Sequence, residues 1–219
     1  PSELLPIGYL PDPNWAAALA SAYNQYMVDA YSNISGVKIA LVISPQMPDH
    51  AVAEIERHAN NNDVVTISIP DVGVNPPLGD KKYWPIFEAA EEYQIPVSLH
   101  GIEALIHDNY PLRVAHFPTL MQVHSMGFPF TSMLQVMSIV CEGVPVRFPK
   151  LKFCVMEAGI TWIPFIMYRL DTAYRQYRTE LPLLQAQPSD YIREWYWGTH
   201  ELEKLPKRGD LKKLIDLYQ

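Results

Sequence analysis

The stretch that decides the fold is residues 37–70, VKIALVISPQMPDHAVAEIERHANNNDVVTISIP. Its two ends, VKIALVIS and VVTISI, are short, continuous apolar runs rich in β-branched residues, which is typical of strands buried on both faces. Between them Val52, Ile55 and Ala59 recur at helical spacing, and Asp49 is a candidate N-cap. A strand, a helix and a second strand in this order form a right-handed crossover between parallel neighbours. The sequence therefore predicts an α/β fold with a parallel sheet.

The same alternation continues on both sides of this unit. An amphipathic helix precedes it, with Asn14 as the expected cap. Further candidate strands follow it at residues 96–100 (PVSLH), 152–157 (KFCVME) and 194–199 (EWYWGT). No glycine-rich phosphate loop follows the first strand, where residues 44–47 read SPQM, and this argues against a dinucleotide-binding sheet. We therefore expect a single domain over residues 1–219 with the architecture of a TIM-type (β/α)8 barrel.

Composition and charge exclude several classes of protein. The 219 residues carry 17 Lys and Arg against 24 Asp and Glu, for a net charge of −7, and basic residues cluster no further than pairs. A nucleic-acid partner is therefore not expected. No apolar run reaches the roughly 18 residues of a membrane-spanning helix, and Cys141 and Cys154 form no metal-binding or disulfide pattern. We expect a cytoplasmic protein whose partners are a small-molecule substrate and a second copy in a homodimer.

Two polar residues stand at the ends of buried strands, where a barrel places its chemistry. His100 closes PVSLH and Glu157 closes KFCVME. An imidazole on a rigid strand is a good metal ligand, and a carboxylate can serve as ligand, base or orienting partner. Each residue has an alternative interpretation as a polar group satisfied at the rim of the core. Of the remaining histidines, His124 is the best candidate to face substrate, whereas His50 and His58 are expected on the solvated side of a helix.

The chain resembles the amidohydrolase-related family of metal-dependent TIM barrels, of the aminocarboxymuconate semialdehyde decarboxylase-like type. The resemblance covers nearly the whole chain and rests on three segments in order. These are residues 49–70 (DHAVAEIERHANNNDVVTISIP), 77–101 (PLGDKKYWPIFEAAEEYQIPVSLHG) and 143–171 (GVPVRFPKLKFCVMEAGITWIPFIMYRLD). It implies that His100 binds a divalent metal, expected to be zinc. It also places Glu157 in the sixth strand, where the decarboxylases usually carry a histidine.

The same resemblance brings expectations about substrate and completeness. We expect Glu157 to be catalytic, and His124 and Trp162 to contact substrate. The family's H-x-H pair on the first strand and aspartate on the last strand have no counterpart here, so strands three to seven of the barrel are the readable ones. The chain is therefore expected to be incomplete, or to have lost its metal.

Three functions remain open at this point. The leading one is a metal-dependent hydrolase or decarboxylase, a carbon–carbon lyase, acting on a small carboxylated or cyclic substrate. The second is a catalytically inactive or incomplete barrel that serves as a subunit. The third is a glycosidase-like barrel that uses Glu157 without a metal, which requires a second carboxyl group roughly 5 to 9.5 Å away.

Overall fold

A computed structural model describes residues 2–101 and 117–198 of the chain. Its strands form one parallel sheet in which each strand pairs with its neighbours in chain order. They are β1 (Ile39–Val42), β2 (Val64–Pro70), β3 (Val97–His100), β4 (Phe153–Met156) and β5 (Tyr196–Trp197). Sequential parallel order is the arrangement of a (β/α)8 barrel. The predicted α/β barrel class is confirmed, and the described residues provide five of its strands.

Helices connect these strands. They are α1 (Pro13–Tyr31), α2 (Pro48–His58), α3 (Trp84–Glu92), α4 (Leu120–Cys141), α5 (Val144–Arg147), α6 (Ile163–Tyr177) and α7 (Pro188–Ile192), and a 3₁₀ segment, Ser2–Tyr9, precedes α1. Within residues 2–101 and 117–198, none of these helices combines the length and the apolar character that crossing a membrane requires.

Two expected helix starts are each wrong by two residues. Helix α1 is capped by Asp12 rather than Asn14, because an Asp12 carboxylate oxygen accepts the N–H of Asn14 at 2.9 Å and that of Trp15 at 3.3 Å. Helix α2 begins at Pro48, so Asp49 lies in its first turn instead of capping it. In both cases a proline at the first helical position sets the boundary, since its fixed φ suits that position and it has no N–H to satisfy.

The two faces of the sheet differ in chemistry. One face presents alternate apolar side chains, such as Ile67, Leu99 and Val155, to the helices, and these residues belong to one buried core cluster. Because successive strand residues point to opposite faces, Ser98 and His100 lie on the other face. That face is polar near the middle of the sheet, where the Thr66 and Ser98 hydroxyls are 2.6 Å apart. In a barrel this second face is the interior that leads to the mouth.

Helix α1 covers the free edge of β1 through one side chain. The Asn24 amide donates to the Val42 carbonyl at 2.8 Å and accepts the Val42 N–H at 2.9 Å, so it pairs with the strand as another strand would. Asn24 is fully buried and also donates to Glu54 of α2 at 3.0 Å. The edge of β1 is therefore hydrogen-bonded at Val42, its last residue, instead of being exposed to solvent there.

The histidines of α2 lie beside this network, and the expected exposure is wrong for His58, whereas His50 is half-buried. His58 is only 6% exposed, and its Nε2 lies 3.7 Å from Glu54 Oε2. The His50 Nε2 lies 3.2 Å from the Ser21 hydroxyl of α1. The periodicity of α2 indicated one apolar face, but α1 packs against a second, polar face that the α2 sequence alone does not reveal.

Candidate active site

His100 is the last residue of β3, with Pro70 of β2 and Met156 of β4 as its neighbours across the sheet. Its Nδ1 lies 2.6 Å from the carbonyl oxygen of Gly101. A carbonyl oxygen can only accept, so Nδ1 carries the proton of this hydrogen bond, and in the neutral ring the lone pair lies on Nε2. A backbone hydrogen bond of this kind is how proteins orient a histidine for metal binding through the other nitrogen.

Glu157 follows β4 directly and has an unusual backbone. Its φ is 56°, in the left-handed region, which costs a residue with a Cβ roughly 1–2 kcal/mol. Its N–H donates to the Gly198 carbonyl at 3.0 Å, which anchors this conformation against the end of β5. Its side chain is 44% exposed. Strained non-glycine residues cluster at functional sites, so the backbone independently marks Glu157 as a functional candidate.

The structure brings the two predicted residues together. His100 Nε2 and Glu157 Oε2 are 3.6 Å apart, and the histidine side chain is 17% exposed. That separation is too long for a direct hydrogen bond. Two ligands at about 2.1 Å from one tetrahedral ion lie about 3.4 Å apart, so the pair has the spacing of two ligands of one metal. Within residues 2–101 and 117–198, no group of three His, Cys, Asp or Glu residues could complete such a site.

Asp71 is a third polar residue at this edge of the sheet, and the sequence analysis missed it. It follows β2 directly, is fully buried, and donates its backbone N–H to the His100 carbonyl at 3.1 Å. Burial raises the pKa of the Asp71 carboxyl to about 6, although hydrogen bonds with Ser132 and Thr131 and the nearby His100 act in the opposite direction. The strand-end rule that selected His100 and Glu157 also applies to Asp71, since it comes immediately after VVTISIP.

Helix α4 lies over the same edge and carries the predicted substrate-binding residue His124. The His124 and Phe128 rings are in edge-to-face contact, with centroids 5.0 Å apart. Phe128 in turn packs against the strand end, because its Cδ1 lies 3.1 Å from the position that a Cβ on Gly101 would occupy. His124 therefore contacts Phe128, which in turn lies against Gly101, the residue after His100. Its contact with substrate stays a prediction.

The other predicted substrate-binding residue, Trp162, lies in the core just before α6. It is 8% exposed, its indole N–H donates to the Ala158 carbonyl at 2.6 Å, and it makes an edge-to-face contact with Trp197 at 5.6 Å. Its assignment to substrate binding also stays a prediction. The sequence has three further histidines, His107, His116 and His200, which lie outside the described residues.

Comparison with known proteins identifies the family. A family model described as amidohydrolase matches residues 7–216. The 2-amino-3-carboxymuconate-6-semialdehyde decarboxylase of Dictyostelium discoideum is 25% identical over 197 residues, which are 86% of this chain and 51% of that protein. The chain therefore spans about half the length of this curated relative.

Two solved structures share the fold. An amidohydrolase from Mycobacterium avium subsp. paratuberculosis superposes with a TM-score of 0.75 at 19% identity, covering 93% of this chain and 53% of the other. A 5-carboxyvanillate decarboxylase from Novosphingobium aromaticivorans, complexed with manganese and 4-hydroxy-3-methoxy-5-nitrobenzoic acid, gives 0.74 at 20% identity, covering 97% and 59%. Because the family model spans nearly the whole sequence and the parallel strand order agrees with these barrels, the chain belongs to the amidohydrolase family.

Proposed function

We propose that this protein is a metal-dependent decarboxylase that acts on a small carboxylated ring compound. The observation that carries the proposal is the pair formed by His100 and Glu157. They stand at the ends of adjacent strands with Nε2 and Oε2 3.6 Å apart, and Glu157 is held in a strained backbone conformation. The 2-amino-3-carboxymuconate-6-semialdehyde decarboxylase and the 5-carboxyvanillate decarboxylase among the related proteins support this choice over hydrolysis.

His100 is the proposed metal ligand, through its Nε2. The Gly101 carbonyl fixes the ring and its tautomer, and the exposed carboxylate of Glu157 stands at a suitable distance to share the ion or to hydrogen-bond a group bound to it. A bound divalent ion would supply a Lewis acid that binds and polarises a substrate oxygen. Imidazole and carboxylate ligands suit both zinc, which the sequence favoured, and manganese, which the 5-carboxyvanillate decarboxylase contains.

Glu157 is the proposed proton carrier. Loss of carbon dioxide breaks a carbon–carbon bond and leaves an electron pair on the ring carbon, which must then take up a proton. A Glu157 carboxyl group that is not bound to the ion can donate that proton, and because its side chain is 44% exposed it can take up a replacement proton from solvent. Aromatic rings on α4, those of His124 and Phe128, lie beside this edge and offer a surface for a planar substrate.

The glycosidase-like alternative is less well supported by the described residues. It needs a second carboxyl group that can reach the sugar. Asp71 is the other strand-end carboxylate in the described part of the sheet, but it is fully buried, and Ser132 holds it with a hydrogen bond of 2.5 Å. A group so enclosed cannot activate a water on an exposed sugar ring.

We propose in addition that the protein is cytoplasmic and forms a homodimer. Both cysteines are free thiols, which suits a reducing compartment. On α6, Phe165 is 56% and Tyr168 is 59% exposed, and large aromatic side chains of this kind are enriched at protein interfaces. Light scattering on the purified protein tests the dimer, and a monomeric mass would contradict it.

The test of the function is decarboxylation by the full chain loaded with manganese or zinc. We expect release of carbon dioxide from 5-carboxyvanillate or from a related hydroxybenzoate, and its loss on chelation. Glu157→Gln should lower kcat by about 100-fold or more, as expected for a general acid or base. The control Glu88→Gln changes a carboxylate that is 66% exposed and pairs with Arg147, and it should leave kcat unchanged. Full activity of Glu157→Gln would exclude the proposed role, and an inert wild-type protein would favour the inactive-subunit alternative.

A further inference from the structure

Helix α4 carries a polar stripe along its second half. The stripe consists of Ser132, Gln135 and Ser138, which are spaced three residues apart and therefore share one side of the helix. Ser132 and Gln135 are fully buried. Burying such groups is costly unless they are hydrogen-bonded, so their partners show what the stripe does.

All the partners of the stripe lie in the segment that follows β2. Gln135 donates to the Asp71 carbonyl at 2.9 Å and accepts the Leu78 N–H at 2.8 Å. Ser138 accepts the Gly79 N–H at 3.0 Å. The Ser132 hydroxyl donates to Asp71 Oδ2 at 2.5 Å, a short distance typical of a charge-assisted hydrogen bond.

Asp71 is the point where this stripe meets the candidate active site. Its N–H is bound to the His100 carbonyl at 3.1 Å, its own carbonyl to Gln135, and its carboxylate to Ser132 and Thr131. A single buried residue thus connects the end of β3 to helix α4.

The same helix holds the aromatic rings beside the site. Phe128 lies one turn before Ser132 on α4, and it contacts the Gly101 position at the end of β3 and the ring of His124. A small shift of α4 at Ser132 would move Phe128, whose carbonyl accepts the Thr131 hydroxyl at 3.0 Å across Pro129, and with it the His124 ring that packs on Phe128. The hydrogen bonds from Asp71 to α4, of which the one to Ser132 is the shortest at 2.5 Å, therefore hold these rings at a set distance from His100.

We propose that Asp71 and Ser132 form a positioning pair that determines which ring-shaped substrates fit between α4 and His100. The inference rests on the proposed function, since it concerns substrate binding at the same site. It assigns no role in bond breaking to either residue. It predicts that breaking the pair weakens substrate binding and leaves metal binding intact.

The test compares two serines of the same stripe in the full, manganese-loaded chain. The probe is 4-hydroxy-3-methoxy-5-nitrobenzoate, whose chromophore reports binding. Ser132→Ala should raise its Kd about tenfold, whereas the control Ser138→Ala, which also loses one hydrogen bond, should stay within about twofold. Ser138→Ala should lower Tm by ~2–4 °C, and Ser132→Ala by more, because its hydrogen bond is charge-assisted. Equal effects of the two variants on Kd, or no effect of Ser132→Ala, would overturn the proposal.

Further variants separate positioning from folding. Asp71→Asn keeps an oxygen that can accept the Ser132 hydroxyl, so it should bind the probe within about threefold of the wild type. Asp71→Ala also removes the hydrogen bond to Thr131, so it should raise Kd at least as much as Ser132→Ala, and the double variant should bind no more weakly than Asp71→Ala alone. Additive losses would show that the residues act independently and would contradict the pair.

A second readout requires no ligand. Hydrogen exchange should become faster at the Asp71 amide and over residues 124–131 in Ser132→Ala, but not in Ser138→Ala. If the wild type fails to bind the probe, the proposed function fails while this exchange pattern still decides the positioning role. Unchanged exchange in Ser132→Ala would refute that role by itself.

Discussion

Replacing Glu157 by glycine should stabilise the protein and abolish its activity. A residue with a Cβ at φ 56° costs roughly 1–2 kcal/mol, and glycine removes that cost. The greater freedom of glycine in the unfolded chain gives back roughly 0.4–1 kcal/mol. The contact with His100 contributes little to the free energy of unfolding, because the Glu157 side chain is 44% exposed and its Oε2 lies 3.6 Å from His100 Nε2. The net gain is about 0.8 kcal/mol, or a rise in Tm of ~2–3 °C for a chain of this size.

The assay is thermal unfolding alongside decarboxylation, with Gln94→Gly as the matched control. Gln94 follows α3, has the same φ of 56° and is exposed. It lies before the start of β3, at the end of the sheet opposite to His100 and Glu157. Gln94→Gly should raise Tm by a similar amount and leave activity intact, whereas Glu157→Gly should raise Tm and lose activity. If Glu157→Gly lowers Tm instead, the side chain is a structural partner, and the argument from backbone strain is wrong.

Three further predictions concern buried polar groups and the metal. Burial raises the pKa of Asp71 to about 6. Between about pH 4 and pH 6 the folded protein therefore holds one proton more than the unfolded chain. The contribution of Asp71 to the free energy of unfolding falls by about 3 kcal/mol as the pH rises through that range. Asp71→Asn lacks this loss, so the variant minus wild-type difference in unfolding free energy should increase by that amount between about pH 4 and pH 7, and a difference independent of pH would contradict the assignment. Asn24→Ala leaves the backbone groups of Val42 and the Glu54 carboxylate without its hydrogen bonds and should cost about 3 kcal/mol in urea unfolding; a loss below about 1 kcal/mol would show that water replaces the amide. His100→Ala should lower the metal content of the purified full chain, measured by elemental analysis, and unchanged stoichiometry would exclude His100 as a ligand.

The sequence predicted the fold best at the strands that are buried on both faces. The runs at residues 37–44 and 96–100 are apolar because both faces of a parallel strand are covered, and they became β1 and β3. The candidate strand at 194–199 pairs with β4 only over Tyr196–Trp197. The exposure of His58 could not be predicted, because it depends on the packing of α1 against α2, which neither helix's own pattern contains.

The sequence predicted that the site lies at the strand ends, but it did not predict how the side chains there are arranged. The strand-end rule found His100 and Glu157, and it would have found Asp71 had it been applied to every carboxylate. The left-handed backbone of Glu157 has no local signal, since glutamate has no preference for that region, and tertiary contacts with the end of β5 impose it. The link from Asp71 to Ser132 joins residues 61 positions apart, so only the folded chain shows it.

Anomalous diffraction from crystals of the full chain grown with manganese tests the central claim most directly. The account predicts a single strong peak at the strand ends, about 2.0–2.3 Å from His100 Nε2 and beside the Glu157 carboxylate. A well-occupied peak elsewhere, with none within bonding distance of His100, would contradict the assignment of this pair as the metal-binding and proton-transferring centre of the protein.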